Sequence, residues 1–364
     1  MIVLAFTGGG TGGHIYPGLA VVSVIQKNNP CRIFWIGSDQ GMDKKIVEEA
    51  GIEFFGIPSG KLRRYFSLKN ISDIARITAG FFAARRILKK QKPALLFSKG
   101  GFVSVPPAAA AASLGIPVFA HESDFSPGLA TRINIRFVKK MFIPYNESLN
   151  LYKKKQRSKL EVSGNPVRPV FRSADASRGR EFLGIGEAER ILLVLGGSSG
   201  SVEVNHLIYE SLNELTTRCT VVHQTGPNHD ENFKTSEKYK PYPYINDELP
   251  HIIAASELVI CRGGAGTIWE CAALGKPMII IPLKETSSRG DQVENAKLFE
   301  EAGAAITFNN DPSDPASSSK KLSETAISLL EDSEKWKKMS MSIISGTNAA
   351  QFIAEELIRE MEKK

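Results

Sequence analysis

The sequence predicts an α/β protein with two units, each built on a parallel sheet that helices cover on both faces. Short apolar runs alternate with helix-like segments along the chain, as they do around buried parallel sheets. The alternation begins at residue 2 and begins again at residue 191, and each time a strand leads through a glycine turn into a helix. The length of 364 residues is sufficient for two domains.

The first unit contains four strands that its apolar runs identify. These runs cover residues 2–6, 33–36, 94–97 and 117–120. A helix is predicted at residues 18–26, and an alanine-rich helix lies between the last two strands. Glycine and two prolines interrupt the pattern in GNPVRP, residues 164–169, so we expect the unit to end there.

The second unit repeats this arrangement with four more apolar runs. Its strands are predicted at residues 191–195, 221–223, 258–261 and 278–281. Its helices are predicted to start near residue 202 and to cover 267–274, and a last helix of the chain covers 348–361. Residues 309–319 are polar and contain two prolines, which is typical of a loop.

Composition excludes several classes of protein. Hydrophobic residues make up 42% and charged residues 23% of the chain, as in ordinary globular proteins. The four cysteines are far apart and form no C-x-x-C pair, which argues against a disulfide framework or a structural zinc site. The longest run without a charged residue or histidine, residues 100–120, contains three prolines and an alanine run, so we do not expect it to span a membrane.

Charge is distributed unevenly between the two halves. Residues 1–168 carry 25 Lys and Arg against 10 Asp and Glu, whereas residues 169–364 carry 21 against 29. The first half is therefore at +15 and the second at −8. A strongly basic half indicates an anionic partner, which at this point is a nucleic acid, an anionic membrane surface or a phosphorylated substrate.

Four glycine-rich turns follow predicted strands, and they are the main functional signal. They lie at residues 8–13, 100–101, 196–200 and 263–267. Backbone N–H groups at the start of a helix attract anions, and the absence of Cβ atoms lets a ligand approach the backbone. Four such turns in two units predict a phosphate-bearing ligand at the carboxyl edges of the sheets.

Two familiar ways of binding nucleotides do not fit these turns. Gly8, Gly10 and Gly13 match G-x-G-x-x-G, but a dinucleotide site needs an acid at the end of the next strand, and Asp39 comes late. The chain contains neither a P-loop nor an Asp-x-Asp pair. We therefore expect backbone N–H groups and arginine to hold a diphosphate, with no metal and no cofactor.

Two histidines adjoin these turns. His14 directly follows the first glycine turn, and a histidine at the ligand edge is a candidate general base because its pKa lies near neutrality. His121 ends a strand and begins the sequence HESD. For His121 we expect a structural hydrogen bond.

Seven motifs, in order, resemble those of the MurG family of glycosyltransferases, glycosyltransferase family 28. They are GGGTGGHIYP (8–17), SKGGFVSVP (98–106), HESDFSPGLA (121–130), GNPVR (164–168), GGSSG (196–200), CRGGAGTIWE (261–270) and RGDQVENA (289–296). The resemblance implies the GT-B architecture, in which two Rossmann-like domains face each other across a cleft and the last helix returns to the first domain. The domains would then be 1–166 plus about 345–364 for the acceptor and 167–344 for the donor.

The resemblance also implies the reaction. The donor would be UDP-GlcNAc, and the acceptor would be lipid I, undecaprenyl-diphosphate-MurNAc-peptide. GlcNAc would move to the 4-hydroxyl of MurNAc with inversion in a single displacement, which gives lipid II for peptidoglycan synthesis. The enzyme would be a peripheral protein on the cytoplasmic face of the bacterial inner membrane.

Family roles carry over to individual positions of this chain. Glu270 would bind the ribose, Ile245 the uracil through its backbone, and Asp291 and Gln292 the GlcNAc hydroxyls. The remaining substrate-binding positions are Thr11, Gly12 and Gly13 near the transfer point, Arg168 in the linker, and Ser198, Ala265, Gly266 and Thr267 at the diphosphate.

Two positions depart from the best-known members of the family. Those members have asparagine where this chain has Asp124 and glutamine where it has Asp291. An ionised carboxylate accepts hydrogen bonds but does not donate them. Asp124 therefore becomes a second candidate base beside His14, and burial would be needed to raise its pKa.

Residues 61–92 predict the membrane contact. They contain ten basic residues and one acid. Ile71, Ile74, Thr78, Phe81, Phe82 and Leu88 are spaced along one side of a helix. Part of this stripe should be buried, and the rest suits an interfacial patch on anionic lipid.

Two alternatives remain open from the sequence. One is a related glycosyltransferase that makes a glycolipid. The other is a nucleic-acid-binding protein, which the basic half allows, although the sequence lacks the interleaved aromatic and basic residues of single-strand binders. We expect no nucleic-acid partner.

Overall fold

The computed structural model describes residues 2–60, 69–197, 200–227, 230, 232–233, 235–283, 290–342 and 348–362. The chain forms two compact units. The first consists of Met1–Pro169 with Gly346–Lys364, and the second of Val170–Ser345.

In the described part of the first unit, seven parallel strands form one sheet. They are β1 (Ile2–Thr7), β2 (Cys31–Ser38), β3 (Glu53–Ile57), β4 (Leu95–Ser98), β5 (Val118–His121), β6 (Lys140–Ile143) and β7 (Leu160–Val162). Their order in the sheet is β3-β2-β1-β4-β5-β6-β7. This is the Rossmann order, with a seventh strand at one edge.

Helices cover both faces of this sheet. They are α1 (Tyr16–Asn28), α2 (Asp43–Glu49), α3 (Lys69–Gln91), α4 (Val105–Ser113), α5 (Leu129–Asn134), α6 (Lys154–Arg157) and α15 (Ala349–Met361). Leu4 and Phe6 of β1 pack in one apolar core with α1 and α15. Ala5, between them, packs in the opposite core with α3 and α4. The alternation follows from the two-residue period of a strand.

The last helix, α15, is an integral part of the first unit. Ile353 and Leu357 are fully buried in the same core as α1. On its polar side, Glu360 accepts a hydrogen bond from Lys139 at 2.6 Å and Glu356 accepts one from Lys140 at 2.5 Å. Apolar burial and two ion pairs thus hold this helix against β6.

In the described part of the second unit, six parallel strands form one sheet. They are β8 (Ile191–Leu195), β9 (Thr220–Gln224), β10 (Tyr239–Tyr242), β11 (Leu258–Cys261), β12 (Met278–Ile280) and β13 (Ala305–Thr307). Their order is β10-β9-β8-β11-β12-β13. This is the Rossmann order again, so the restart of the pattern at residue 191 marks a second sheet of the same type.

The helices of the second half complete the fold. They are α7 (Pro169–Arg172), α8 (Ala176–Leu183), α9 (Val202–Leu215), α10 (Leu249–Ala255), α11 (Ala265–Ala273), α12 (Asp291–Glu301), α13 (Pro315–Glu331) and α14 (Ser333–Ser342). The prediction of a loop at residues 309–319 is wrong for its second part, because α13 begins at Pro315. Asp314 caps this helix by accepting a hydrogen bond from the N–H of Ser317, and proline suits the first helical position.

The charged helix α3 has a buried face and an exposed face. Ala84 and Leu88 are fully buried, whereas Ile74 is 56% and Phe82 64% exposed. The stripe expected on one side is therefore divided, with Phe81 half-buried between the two faces. Among the described residues, no helix is both long and apolar enough to cross a membrane.

Candidate active site

The four glycine turns lie at equivalent places in the two sheets. In the first unit they follow β1 and β4, and in the second they follow β8 and β11. In each sheet these two strands are neighbours at the point where the strand order reverses. Ligands of open α/β sheets bind at this switch point, so the topology brings the predicted turns together in pairs.

A buried carboxylate holds the first glycine turn. Asp43, which is fully buried, accepts a hydrogen bond from the N–H of Gly10 at 2.9 Å and one from the N–H of Ser38 at 3.1 Å. A Cβ atom at Gly9 would overlap this carboxylate. Burial raises the pKa of Asp43, and the two N–H donors partly oppose that rise. No local pattern of the sequence pointed to this residue.

His14 lies between the two glycine turns of the first unit. It is half-buried, and it follows Thr11 and Gly13, which are exposed. A Cβ atom at Gly101 would lie 2.9 Å from Cδ2 of His14, and Gly101 has a φ of 76°. Glycine is therefore needed at 101 for two reasons, backbone conformation and close contact with the imidazole.

Arg168 also lies beside the first turn. Its guanidinium carbon is 4.9 Å from the centre of the Tyr16 ring, and Tyr16 begins α1 directly after the turn. The structure assigns Arg168 to the first unit, which extends to Pro169. The boundary predicted after residue 166 had placed it with the second.

The HESD loop after β5 is ordered by its own acid. The carboxylate of Glu122 accepts hydrogen bonds from the N–H groups of Ser123, Asp124 and Gly128 and from the hydroxyl of Thr131. Both carboxylate oxygens are used, each by two donors. This arrangement fixes the backbone that carries Asp124, which is half-buried.

The same loop is joined to the linker that ends the first unit. The Nε2 atom of His121 lies 2.9 Å from the carbonyl oxygen of Gly164, and the amide of Asn165 donates to the carbonyl of Ser123 at 2.8 Å. His121 thus makes the structural hydrogen bond expected of it. Burial and the nearby Lys99 charge hold its pKa well below the usual value.

In the second unit, a glutamine connects two segments that are far apart in the chain. Gln224 ends β9, accepts a hydrogen bond from the N–H of Ile245 at 3.0 Å and donates one to the carbonyl of Gly197 at 3.2 Å. A Cβ atom at Gly200 would overlap the carbonyl of Thr225, which explains that glycine. Ser198 lies outside the described residues.

Helix α11 presents its N-terminus at the second switch point. It begins at Ala265, two residues before the predicted start, with Gly264 as an N-cap that makes no side-chain hydrogen bond. Ala265, Gly266 and Thr267 therefore form its first turn, where backbone N–H groups have no partner within the helix. Apart from the adjacent residues and the backbone of the helix itself, no atom of the described residues lies within 4 Å of a Cβ placed on Gly264 or Gly266. Glu270 follows Thr267 by about one turn and is half-buried.

Helix α12 packs its first residues onto the same turn. A Cβ atom at Gly263 would lie 2.9 Å from Cβ of Gln292. The Gln292 side chain accepts a hydrogen bond from the N–H of Leu283 at 3.1 Å, and Asn295 donates to the carbonyl of Gly263 at 3.1 Å. Asp291 is the first residue of the helix. Gln292 and Asn295 thus pack against the glycine turn, and Asp291 directly precedes Gln292.

An arginine that the sequence analysis missed joins three loops of this edge. Arg262 donates to the Ser201 hydroxyl at 2.5 Å and to the Ile281 carbonyl at 3.1 Å, and it pairs with Glu203 at 2.7 Å. Ser201 in turn caps α9. The arginine therefore fixes the loops after β8, β11 and β12 relative to one another.

The described residues contain no group of three or more His, Cys, Asp or Glu side chains that could hold a metal ion. The arrangement instead offers helix N-termini and glycine backbone at both switch points, with carboxylates and a histidine in the first unit. Such groups can bind a diphosphate and move a proton.

Comparison with known proteins assigns both units to one family. The glycosyltransferase family 28 N-terminal domain matches residues 4–143, and the glycosyltransferase family 28 C-terminal domain matches residues 191–357. The two matches fall on the two parallel sheets.

Curated relatives share much of the sequence. The UDP-N-acetylglucosamine--N-acetylmuramyl-(pentapeptide) pyrophosphoryl-undecaprenol N-acetylglucosamine transferase of Treponema denticola is 49% identical over 84% of this chain and 83% of its own length. The protein of the same name from Shouchella clausii is 39% identical over 99% of each chain.

A solved structure agrees on the fold. The crystal structure of Acinetobacter baumannii MurG superposes with a TM-score of 0.75 over 98% of this chain and 99% of that one, at 22% sequence identity. The predicted GT-B class, with two Rossmann-like domains, is confirmed. On these matches, the chain belongs to glycosyltransferase family 28.

Proposed function

We propose that this chain transfers GlcNAc from UDP-GlcNAc to the 4-hydroxyl of MurNAc in lipid I, with inversion, and so makes lipid II for peptidoglycan synthesis. Its curated relatives carry the name of this transferase. The structural observation that supports it most is the pair of glycine turns at the switch point of each sheet. One sheet is suited to the donor and the other to the acceptor.

The second unit is the proposed donor site. The N-terminus of α11, with Ala265, Gly266 and Thr267, faces the diphosphate, whose negative charge grows as UDP leaves. Open space beside Gly264 and Gly266 supports a close approach of phosphate oxygens. Ser198 is proposed for the same diphosphate from its sequence position alone.

The rest of the donor is recognised by groups around this helix. Glu270 accepts hydrogen bonds from the ribose hydroxyls, and the backbone of Ile245, which Gln224 holds in place, faces the uracil. Asp291 and Gln292 bind the GlcNAc hydroxyls. Arg168 provides a further positive charge for the donor, although it folds with the first unit.

The first unit is the proposed acceptor site. Thr11, Gly12 and Gly13 lie at the transfer point, and His14 and Asp124 are the two candidate bases for the acceptor hydroxyl. Both belong to loops at the carboxyl edge of the first sheet. Because helix N-termini and arginine are available to stabilise the leaving diphosphate, we propose that the reaction needs neither a metal nor a cofactor.

One assay tests this function. The purified chain is incubated with UDP-GlcNAc and a short-chain lipid I analogue, with and without EDTA, and the product is followed. We expect transfer that EDTA does not abolish. Diacylglycerol serves as the competing acceptor, and transfer to it alone would identify a glycolipid-forming enzyme. Salt-sensitive nucleic-acid binding without affinity for UDP would instead favour the nucleic-acid alternative.

We also propose that the first unit docks on the anionic cytoplasmic face of the bacterial membrane. The exposed side of α3 carries Ile74 and Phe82, followed by Arg85, Arg86 and Lys89, which are also exposed. Aromatic and aliphatic side chains beside cations suit the headgroup region. Residues 61–68, which add three basic residues to the sequence pattern, lie outside the described residues.

Co-sedimentation with vesicles tests this contact. Each Lys or Arg near an anionic surface contributes about 1 kcal/mol, so binding should need anionic lipid and weaken with salt. Glutamate at Arg85, Arg86, Lys89 and Lys90 should release the protein and leave its UDP affinity unchanged. A matched control reverses the same number of exposed charges at Lys153, Lys154, Lys155 and Arg157. Equal release by both variants would show that net charge, not α3, determines binding.

A further inference from the structure

An acid of the first unit lies directly against the glycine turn after β1. Asp43 begins α2 and is fully buried. Its Oδ1 atom accepts a hydrogen bond from the N–H of Gly10 at 2.9 Å, and its Oδ2 atom accepts one from the N–H of Ser38 at 3.1 Å. A Cβ atom at Gly9 would lie only 1.8 Å from Oδ2. The first turn therefore packs against a carboxylate that belongs to the protein itself.

Rossmann folds that bind nucleotides hold an external anion at this turn. The glycine turn after the first strand faces the pyrophosphate, and an acid after the second strand binds the ribose. In this unit the first two acids after β2 are engaged within the protein. Asp43 accepts a hydrogen bond from the turn, and Asp39 pairs with Arg76 of α3 at 2.8 Å. The groups that would bind a nucleotide here thus have partners from the same chain.

The equivalent strand of the second unit provides a neutral side chain instead. β2 and β9 occupy the same position in the two sheets, next to the first strand of each. Gln224, at the end of β9, contacts the turn after β8 through its amide, which donates to the carbonyl of Gly197. An amide carries no charge, whereas Asp43 brings a carboxylate to its turn. The two turns therefore differ in the charge of the side chain that supports them.

A cavity of about 370 Å³ leads to the carboxylate of Asp43. Its described lining includes Gly10, two acids, Asp43 and Asp73, and one cation, Arg76. The Nε atom of Arg76 donates to the carbonyl of Ser59 at 2.8 Å, which fixes the guanidinium in the wall. An anion that entered this cavity would find the N–H of Gly10 already used and a carboxylate beside it, and like charges repel each other.

We propose that Asp43 is a specificity-determining residue of the acceptor edge: its carboxylate takes the place of a phosphate at the first glycine turn, so that this turn admits an uncharged sugar hydroxyl and excludes a nucleoside diphosphate. This inference rests on the proposed function. It restricts UDP-GlcNAc and the product UDP to the second unit. It also directs the sugar end of lipid I, and not its diphosphate, to the first turn, because a hydroxyl can donate as well as accept and carries no charge.

Inhibition by inorganic diphosphate tests this role. Transfer from UDP-GlcNAc to the lipid I analogue is measured for the unmodified chain and for Asp43→Ser, which removes the charge and opens space beside Gly10. The inhibition constant of diphosphate against the acceptor should fall about tenfold or more in Asp43→Ser, since the freed N–H can then bind a charged oxygen. The inhibition constant against UDP-GlcNAc should not change. Loss of packing alone would lower kcat or stability without creating competition with the acceptor.

Two further variants separate the effect of charge from that of space. Asp43→Asn keeps the volume of the side chain and removes its charge, so the inhibition constant against the acceptor should fall less, by about two- to fivefold, through loss of repulsion alone. Glu49→Ser, which removes an exposed acid from the same helix, is the matched control and should leave both constants unchanged. If Asp43→Ser does not fold, Asp43→Asn decides, since it retains the shape of the native side chain.

Failure of this inference is separable from failure of the function. Equal inhibition constants against the acceptor in the unmodified chain and in both Asp43 variants would overturn the role of Asp43 while the unmodified chain still makes product. A fall in the constants against both substrates, or an equal fall in Glu49→Ser, would also overturn it, because the effect would then not be specific to the first turn. Absence of transfer by the unmodified chain would overturn the proposed function instead.

Discussion

The two sheets have the same strand order but different chemistry at their carboxyl edges. The first unit buries ionisable groups beneath its glycine turns, namely Asp43, Lys99, His121 and Glu122. The second unit supports its turns with the neutral side chains of Gln224 and Asn295 and with one arginine, Arg262. The difference supports the proposal that the first edge moves a proton and the second holds a ligand.

The strongest test of this contrast is loss of the base. His14→Ala should reduce kcat by about 10²–10⁴ and leave UDP affinity unchanged, because the proposed donor site is in the other unit. Asp124→Asn should have the smaller effect. Steady-state kinetics at saturating donor, with calorimetry of UDP binding, provides the measurement. If Asp124→Asn is the slower enzyme, the base assignment moves to Asp124.

A complementary loss is expected in the second unit. Glu270→Ala removes the acceptors for the ribose hydroxyls and should weaken UDP binding by about 1–3 kcal/mol, the cost of leaving polar partners unpaired. At saturating donor, kcat should change little. Glu210→Ala, an exposed acid on α9, is the control in the same calorimetric titration. Unchanged affinity in Glu270→Ala would reject this ribose site.

A third substitution tests the charged support of the first glycine turn. Asp43→Asn removes one of the two acceptors used by Gly10 and Ser38 and should lower the free energy of unfolding by about 1–3 kcal/mol. Because the pKa of Asp43 is raised in the folded protein, the native aspartate contributes most below its unfolded pKa and loses this contribution as pH rises through the folded value. The deficit of the variant should therefore shrink with rising pH. Denaturant titrations of the unmodified chain and of Asp43→Asn at several pH values measure this deficit. A deficit that grows with rising pH would contradict the prediction.

The smallest effect is expected for Gln224, a neutral side chain that supports the turns of the second unit. Gln224→Ala should weaken UDP binding by about 0.5–1.5 kcal/mol, the net value of ordinary hydrogen bonds, through a less ordered Ile245 backbone. This effect should be independent of pH, since no ionisable group is removed. A pH-dependent loss would contradict the distinction between the two edges.

The sequence predicted the turns but not the residues that support them. Strand, glycine turn and helix are adjacent in the chain, so local patterns indicated all four turns and the start of each sheet. Asp43, Gln224 and Arg262 contact loops that are far from them in the chain, and strand order brings them together. Lys99 had a local signal, a charged residue after three buried apolar residues and a buried serine, but its side-chain partner Ser123 lies in the loop after the next strand.

Helix boundaries show a different source of error. The start of α13 was signalled by Asp314 and Pro315, an N-cap followed by a proline, but the surrounding polar residues favoured a loop. In the structure Ser318 and Ser319 are buried within the second unit, and this burial favours a helix over a loop in this segment. For α11, Gly264 adopts an extended conformation and serves as N-cap, which a local pattern of glycines does not distinguish from a continuing turn.

The return of α15 to the first sheet has a consequence for synthesis on the ribosome. Ile353, Ala354 and Leu357 fill a core whose other residues come mainly from the first 142 positions. That core therefore remains partly exposed, without α15, while the whole second unit is translated. The second unit is complete before the helix emerges, so it can fold first, and the nascent first unit remains open to chaperones until residue 361 has left the tunnel.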